Sequence, residues 1–338
     1  MRARTEYVLN ELIGEYIRTA QPVASQVLSQ KTNLQVSPAT MRNEMAFLEE
    51  AGYITRPHIS AGAVPTDKGY RFYVQRLCED IQPDQGMADQ VRERFQRSRT
   101  PEDWVEMAAR LLAEIVDSVA MVTFPTTTRS RVKRIELVQL QEFMALLIVV
   151  LQGARLLQQM MPMSQPVSQD ELNVVGNKLS YLFGGMDRTQ IKKRRVQLSA
   201  LEDRAREGTI AAMQEADEEA FDPHVDGLRR LMRQPELSEE TRIAPLVDLL
   251  EERVVLRRLL ARVAEQGRPQ VLIGTENTEE VLWPYSLVLC PYGISGEITG
   301  IVGVLGPTRL PYHVAFEGVN TVSGVMTDMV CTIHRGEN

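Results

Sequence analysis

Apolar residues recur at helical spacing several times within the first fifty positions. Val8, Leu9, Leu12, Ile13, Tyr16 and Ile17 make one stripe over residues 5–19. A second helix is predicted in PVASQVLSQKT, with Pro22 at its first position and Asn33 as a left-handed stop. The third helix has the clearest start. In VSPATMRNEMAFLEEAGYITRP, Ser37 suits the cap, Pro38 the first turn, and Gly52 the end. Next the pattern predicts a strand at YITR and a loop, HISAGAVP, bent at Gly62 and closing near Pro65. A helix, DKGYRFYVQRL, follows, capped by Thr66.

Residues 81–100 are polar and link to, or open, the next domain. Over 101–118 a helix turns Val105, Ala108, Leu111, Leu112 and Ile115 inward. Strands are predicted at VAMVTF, VKRIELVQL and FMALLIVVL; the last is an unbroken apolar run, expected of a strand buried on both faces. From about 165 to 265 charged helical stretches dominate. Strands resume at QVLIGT, SLVLCPYG and ITGIVGVLG. A closing helix carries Val314, Phe316, Val319, Val322, Met326, Met329 and Ile333. The fold class is α+β: a small domain over 1–80, then one α+β domain interrupted by a mostly helical insertion. The expected segments are 1–80, 81–165, 166–265 and 266–338, the second and fourth being parts of one domain.

The third helix has two different sides. Met41, Met45 and Leu48 fall on one stripe and pack on the first two helices. Ala39, Asn43 and Ala46 point the other way, flanked by Thr40 and Arg42. A face that is small in the middle and polar at its edges lets a backbone approach base edges. Asn can bond bidentately to adenine and Arg to guanine. The order of elements is that of a helix-turn-helix, whose last helix enters the major groove by its first turns. Strand, loop and strand then form a wing. Arg56, His58, Ser60, Thr66, Lys68 and Arg71 cluster around it, where they can reach phosphates or the minor groove. Three amphipathic helices and a hairpin also fit a plain small domain or a protein-binding module. Phe47 lies near the outer face, either to touch a thymine methyl or to pack on a neighbouring domain.

Composition narrows the field. At 338 residues the chain holds two or three domains, and no run of about 18 apolar residues suggests a membrane span. The start, MRARTEYVLNEL, lacks a secretory h-region. Cys78, Cys290 and Cys331 are scattered, as in a protein of the reducing cytoplasm. His58, His224, His313 and His334 make no ligand spacing with them, so neither metal nor cofactor is expected. Catalysis is not expected either, because GxSxG, HExxH and Cys–His signals are missing. YGISGEITGIVG lacks the Lys-Ser/Thr of a phosphate loop and precedes a strand, so its glycines read as hairpin and close-packing positions. TENTEE and PTR read as turns.

Charge removes one easy argument. Residues 1–80 hold nine basic and nine acidic side chains, so the net charge of −7 lies in the remainder, 29 basic against 36 acidic. Nucleic-acid binders commonly show a basic domain. Here DNA binding rests on the motif and on local charge placement.

Three stretches carry a resemblance: YIRTAQPVASQVLSQ, VSPATMRNEMAFLEEAGYITRPHISAG and VPTDKGYRFYVQRL are similar to the winged-helix domain of the heat-inducible transcription repressor HrcA family. IGTEN, CPYG and GVLGPTRLPY with a terminal helix extend it to the distal end. The resemblance implies an N-terminal winged helix-turn-helix, a GAF-like domain and an inserted dimerising domain. It further implies a homodimeric repressor of groE- and dnaK-type chaperone operons. Its operator would be an inverted repeat of double-stranded DNA, the CIRCE element, and its activity would depend on a GroE-type chaperonin. Two identical heads require two-fold related half-sites. Leu249, Leu250, Val254, Leu256 and Leu259 then form a stripe that either joins two copies or packs within its own subunit. An alternative is a ligand-sensing winged-helix regulator whose GAF-like domain is the receptor. The chain departs from the family pattern at Ala24-Ser25-Gln26 in place of GSR, at Ala63 in place of Arg, and at Phe47 in place of Asp. Two basic side chains expected to face DNA are thereby replaced.

Overall fold

The computed structural model describes residues 1–31, 37–58, 61–80, 85–95, 101–127, 130–152, 156–237, 240–294 and 297–336. In the N-terminal part, α1 (Ala3–Thr19) buries Thr5, Val8, Leu9, Leu12 and Ile13. α2 (Ser25–Lys31) begins three residues later than Pro22 suggested. The reason is Val23, which is extended and exchanges backbone hydrogen bonds with Ala63 at 2.8 and 2.9 Å. A residue committed to a bridge cannot sit in a helical turn. The stop expected at Asn33 lies outside the described residues. α3 (Pro38–Glu50) starts where the cap requires, and the Thr40 N–H donates to Ser37 Oγ at 3.2 Å.

A two-residue hairpin follows, β1 (Ile54–Thr55) against β2 (Val64–Pro65), with Ile54 opposite Pro65. Pro65 therefore belongs to the strand instead of closing a loop. Gly62 also differs from expectation. A Cβ there would lie 2.6 Å from the backbone of Pro22 and Val23, so it makes room for the bridge instead of supplying a bend. α4 (Asp67–Asp80) is capped by Thr66, whose Oγ1 accepts from Gly69 N–H at 3.2 Å and donates to Gly52 O at 2.7 Å.

The rest of the chain runs α5 (Gln85–Phe95), α6 (Pro101–Val116), β3 (Val119–Thr123), β4 (Thr126–Thr127), β5 (Val132–Gln141), β6 (Met144–Leu151) and β7 (Leu156–Pro162). Then come α7 (Gln169–Phe183), α8 (Arg188–Lys193), α9 (Ala200–Glu219), β8 (Pro223–Asp226), α10 (Leu228–Leu231), α11 (Glu240–Glu252) and α12 (Val254–Gln266). β9 (Gln270–Ile273), β10 (Tyr285–Ile294), β11 (Ile298–Pro307) and α13 (Tyr312–Gly336) complete it. Two antiparallel sheets result. The larger has the order β8-β3-β11-β10-β9 with β4 beside β11, and the smaller is the meander β5-β6-β7.

The larger sheet is covered on both faces. Ala120, Val122, Val288, Val302 and Val304 join α6 and α13 and continue into the N-terminal core, so head and sheet share one apolar cluster. Alternate residues Met121, Leu287, Leu289, Ile301 and Leu305 face α11 and α12. β10 and β11 form a long hairpin from Tyr285↔Pro307 to Ile294↔Ile298, which is where the glycine-rich run falls.

The smaller sheet has its own core. Ala145, Leu147, Val149 and Leu151 of β6 are buried with Leu172, Leu179 and Phe183 of α7 and Ala205 and Met213 of α9. Met144, Leu146, Ile148 and Val150 alternate with them and are half-exposed, so this strand is covered on one face and not on both as its unbroken apolar run suggested. α7 lies along the edge of β5. Ser180 Oγ accepts from Ile135 N–H at 2.8 Å and donates to Ile135 O at 2.9 Å. Gln169 does the same with Gln139 N–H at 2.7 Å and Leu137 O at 2.8 Å. Side chains thus stand where a neighbouring strand would be. The packing groups the meander with α7–α9, and α11 and α12 with the larger sheet, a partition different from a break near 165.

Candidate nucleic-acid interface

The outer side of α3 is assembled by local rules. Met41, Met45 and Leu48 are at most 2 % exposed and hold the helix on α1 and α2. The same spacing turns Ala39, Arg42, Asn43 and Ala46 outward, where all four are exposed; Thr40 is half-exposed. Ser37 is exposed at the cap, its hydroxyl 3.0 Å from Thr40 Oγ1. The first turns therefore offer small side chains, two hydroxyls, an amide and a guanidinium to whatever lies beyond. That set can reach base edges in a major groove. Phe47 is 52 % exposed on the same side.

Flanking residues divide into two groups. Arg56 follows β1 and pairs with Glu49 at 3.3 Å, and His58 is exposed at the hairpin tip. Ser60 lies outside the described residues. The other three are engaged within the chain. Thr66 caps α4. Lys68 Nζ donates to Ala51 O at 2.8 Å and stands 4.5 Å from the centre of the Tyr53 ring, fastening α4 to the end of α3. Arg71 is turned away from the hairpin toward the distal part of the chain, where it binds Glu276 and the Val271 carbonyl.

Ala63 also changes meaning. It is fully buried opposite Val23, so its side chain points into the core and this departure leaves no gap on the outer surface. Gln26 is exposed on α2, and there the departure does alter the surface. The sequence reading passed over Arg2 and Arg4, which belong to the flank of α3. Arg4 Nε donates to Glu44 Oε1 at 2.7 Å and Thr5 Oγ1 to Glu44 Oε2 at 2.7 Å, tying the start of α1 to α3. These bonds, the Thr5 hydroxyl first, hold the Glu44 carboxyl below the usual glutamate range. The signal available in the sequence was the basic start MRAR.

The stripe considered for self-association is turned inward. Leu249, Leu250, Leu256 and Leu259 are at most 7 % exposed in the core beneath the larger sheet, and only Val254 is exposed, at 45 %. Their partners are in the same chain. Among the described residues no group of three or more His, Cys, Asp or Glu side chains is placed to hold a metal ion, and no helix is long and apolar enough to cross a membrane.

The profile described as HrcA protein C terminal domain matches residues 102–315. A protein named heat-inducible transcription repressor HrcA from Dehalococcoides mccartyi is 35 % identical over 333 residues, covering 98 % of this chain and 96 % of the relative. One of the same name from Roseiflexus castenholzii is 34 % identical over 341 residues, covering 98 % and 95 %. A solved crystal structure described only as a hypothetical protein aligns over 97 % of this chain and 98 % of its own. Its TM-score is 0.55 and its identity 21 %, a likeness of fold.

Proposed function

The chain belongs to the heat-inducible transcription repressor HrcA family, and we propose that it is a dimeric repressor of groE- and dnaK-type chaperone operons that binds an inverted repeat of the CIRCE kind. The observation that carries this is the exposed outer face of α3, with Ala39, Thr40, Arg42 and Asn43 in the first turns. In this reading the N-terminal part is a winged helix-turn-helix. β1 and β2 are the wing, and Arg56, His58, Arg2 and Arg4 contact phosphates on either side. The α+β body corresponds to the GAF-like domain, and the meander with α7–α9 to the inserted dimerising unit. The protein acts in the cytoplasm, on the chromosome.

The outer face of the small sheet supports the dimer. Strand register puts Val138, Leu146 and Met160 in one row and Val150 beside Leu156 in another. Leu156 and Met160 are each 59 % exposed, and Ile148 lies half-exposed between the rows. A two-fold axis through this face joins like surfaces and carries two heads in opposite senses, as an inverted repeat demands. Exposed Val174 and Tyr181 on α7, at 66 and 90 %, are the side chains a GroE-type chaperonin would hold. Heat-damaged proteins would compete for that chaperonin and release repression.

Gel-shift titration on an inverted-repeat duplex at rising salt tests the reading. Phosphate contacts make log K fall linearly with log salt, by about 0.9 per contact. A flat response would sink it. A second reading, a ligand-sensing regulator, is favoured by a cavity of about 360 Å³ between α9 and α12, lined among others by Arg188, Asp217, Arg262 and Asn277. Calorimetry with small metabolites separates the two; heat with a defined stoichiometry would favour the second.

A further inference from the structure

The distal motif Ile273–Asn277 lies some 200 residues along the chain from α4, yet it is bonded directly to that helix. Asp67 and Arg71 stand one helical turn apart on α4, so both face the same way. Thr275 donates to Asp67 Oδ2 twice, from its N–H at 2.8 Å and its Oγ1 at 2.7 Å. Arg71 Nε donates to Glu276 Oε1 at 2.7 Å, its Nη2 pairs with the other carboxylate oxygen, and the same Nη2 donates to Val271 O at 2.7 Å.

The receiving loop also has bonds of its own. Glu276 Oε2 accepts from Ile273 N–H at 2.9 Å, and Asn277, 3 % exposed, donates from Nδ2 to Gly274 O at 2.8 Å. Gly274 has φ +52°, and a Cβ there would lie 2.4 Å from the Asp67 carboxyl group. Only glycine allows this approach. Beneath the polar rim Tyr70 meets Tyr312, ring centres 5.9 Å apart.

We propose that this loop is a socket that sets the angle of the reading head, and that Asp67 and Arg71 are positioning residues whose work is to place α3 for its groove. The idea rests on the dimeric reading above. Two heads on one duplex must meet grooves about one helical turn, roughly 34 Å, apart or a multiple of it. A head free to roll still binds one half-site but loses the second. A residue that only stabilised the fold would weaken both kinds of binding together.

The test compares a duplex carrying both half-sites with one carrying a single half-site, for the full chain and for Gly274→Ala and Glu276→Gln. The expected result is a loss of tenfold or more on the paired site, with single-site affinity unchanged within twofold. Both variants should also tolerate one or two base pairs inserted between the half-sites, which the unaltered protein rejects. Equal losses on both duplexes, or an unchanged paired site with unchanged spacing, would overturn the socket. Should Gly274→Ala not fold by circular dichroism, Glu276→Gln carries the test, since Gln can still accept from Ile273 N–H. An unaltered protein without preference for paired sites would instead remove the dimeric reading, and the socket with it.

Discussion

α3 and α12 are both amphipathic helices with an apolar stripe, and the two stripes met the same fate. Met41, Met45 and Leu48 went inward, and so did Leu256 and Leu259. The difference lies in what each functional reading leaned on. For α3 it leaned on the side opposite the stripe, which packing leaves free. For α12 it leaned on the stripe itself, the part a folding chain consumes first. An apolar stripe says that a helix needs a cover; it does not say which chain supplies the cover.

The largest effect sharpens that contrast. Leu256→Ala, in the core under the larger sheet, should cost about 2–5 kcal/mol of stability in urea unfolding, whereas Val254→Ala should stay within about 0.5 kcal/mol. If Leu256→Ala instead left stability intact and shifted only the monomer–dimer equilibrium, the leucines would be intermolecular after all. On the other helix the pattern reverses. Arg42→Ala and Asn43→Ala should each cost about 1–3 kcal/mol on the cognate repeat, less on random DNA, with the unfolding midpoint unmoved. Equal losses on both DNAs would make them phosphate contacts.

Smaller effects probe the joints. Among the described residues Tyr70 Oη, buried between head and body, has no hydrogen-bond partner. Tyr70→Phe removes a desolvated hydroxyl and should raise stability by up to about 1 kcal/mol, read as a higher unfolding midpoint. A fall of similar size would mean the hydroxyl is satisfied in solution. The smallest effect belongs to Glu44. Its folded pKa is depressed, so its contribution is present at neutral pH and fades as pH drops below the ordinary glutamate value of about 4.3. Glu44→Gln should flatten that acid limb, by on the order of 0.5 kcal/mol between pH 5 and 3. An unchanged limb would assign the acid sensitivity to other carboxylates.

What the sequence revealed followed how far each signal reaches along the chain. The start of α3 was legible because Ser37 and Pro38 act within one turn. The presence of the strands was legible from their short apolar runs, but neither the half-exposed face of β6 nor the partner of any strand was. Nothing near Val132 or Met144 says that β5 and β6 form a sheet apart from β3, and the compositional change near 165 separates strands from the helices they pack on. Arg71 was taken for a phosphate contact because it follows the wing, while its partner Glu276 is 205 residues away. The one local hint was its spacing from Asp67, an acid and a base on the same side of α4. TENTEE was read as a turn, and a turn it is; what no turn signature conveys is that another part of the chain is seated in it.

Sealing β5 with α7 leaves the meander a single open border, β7, which among the described residues pairs only with β6. Growth by strand addition can then proceed from one side alone. Two copies joined there through their meanders would have no second meander edge to offer a third.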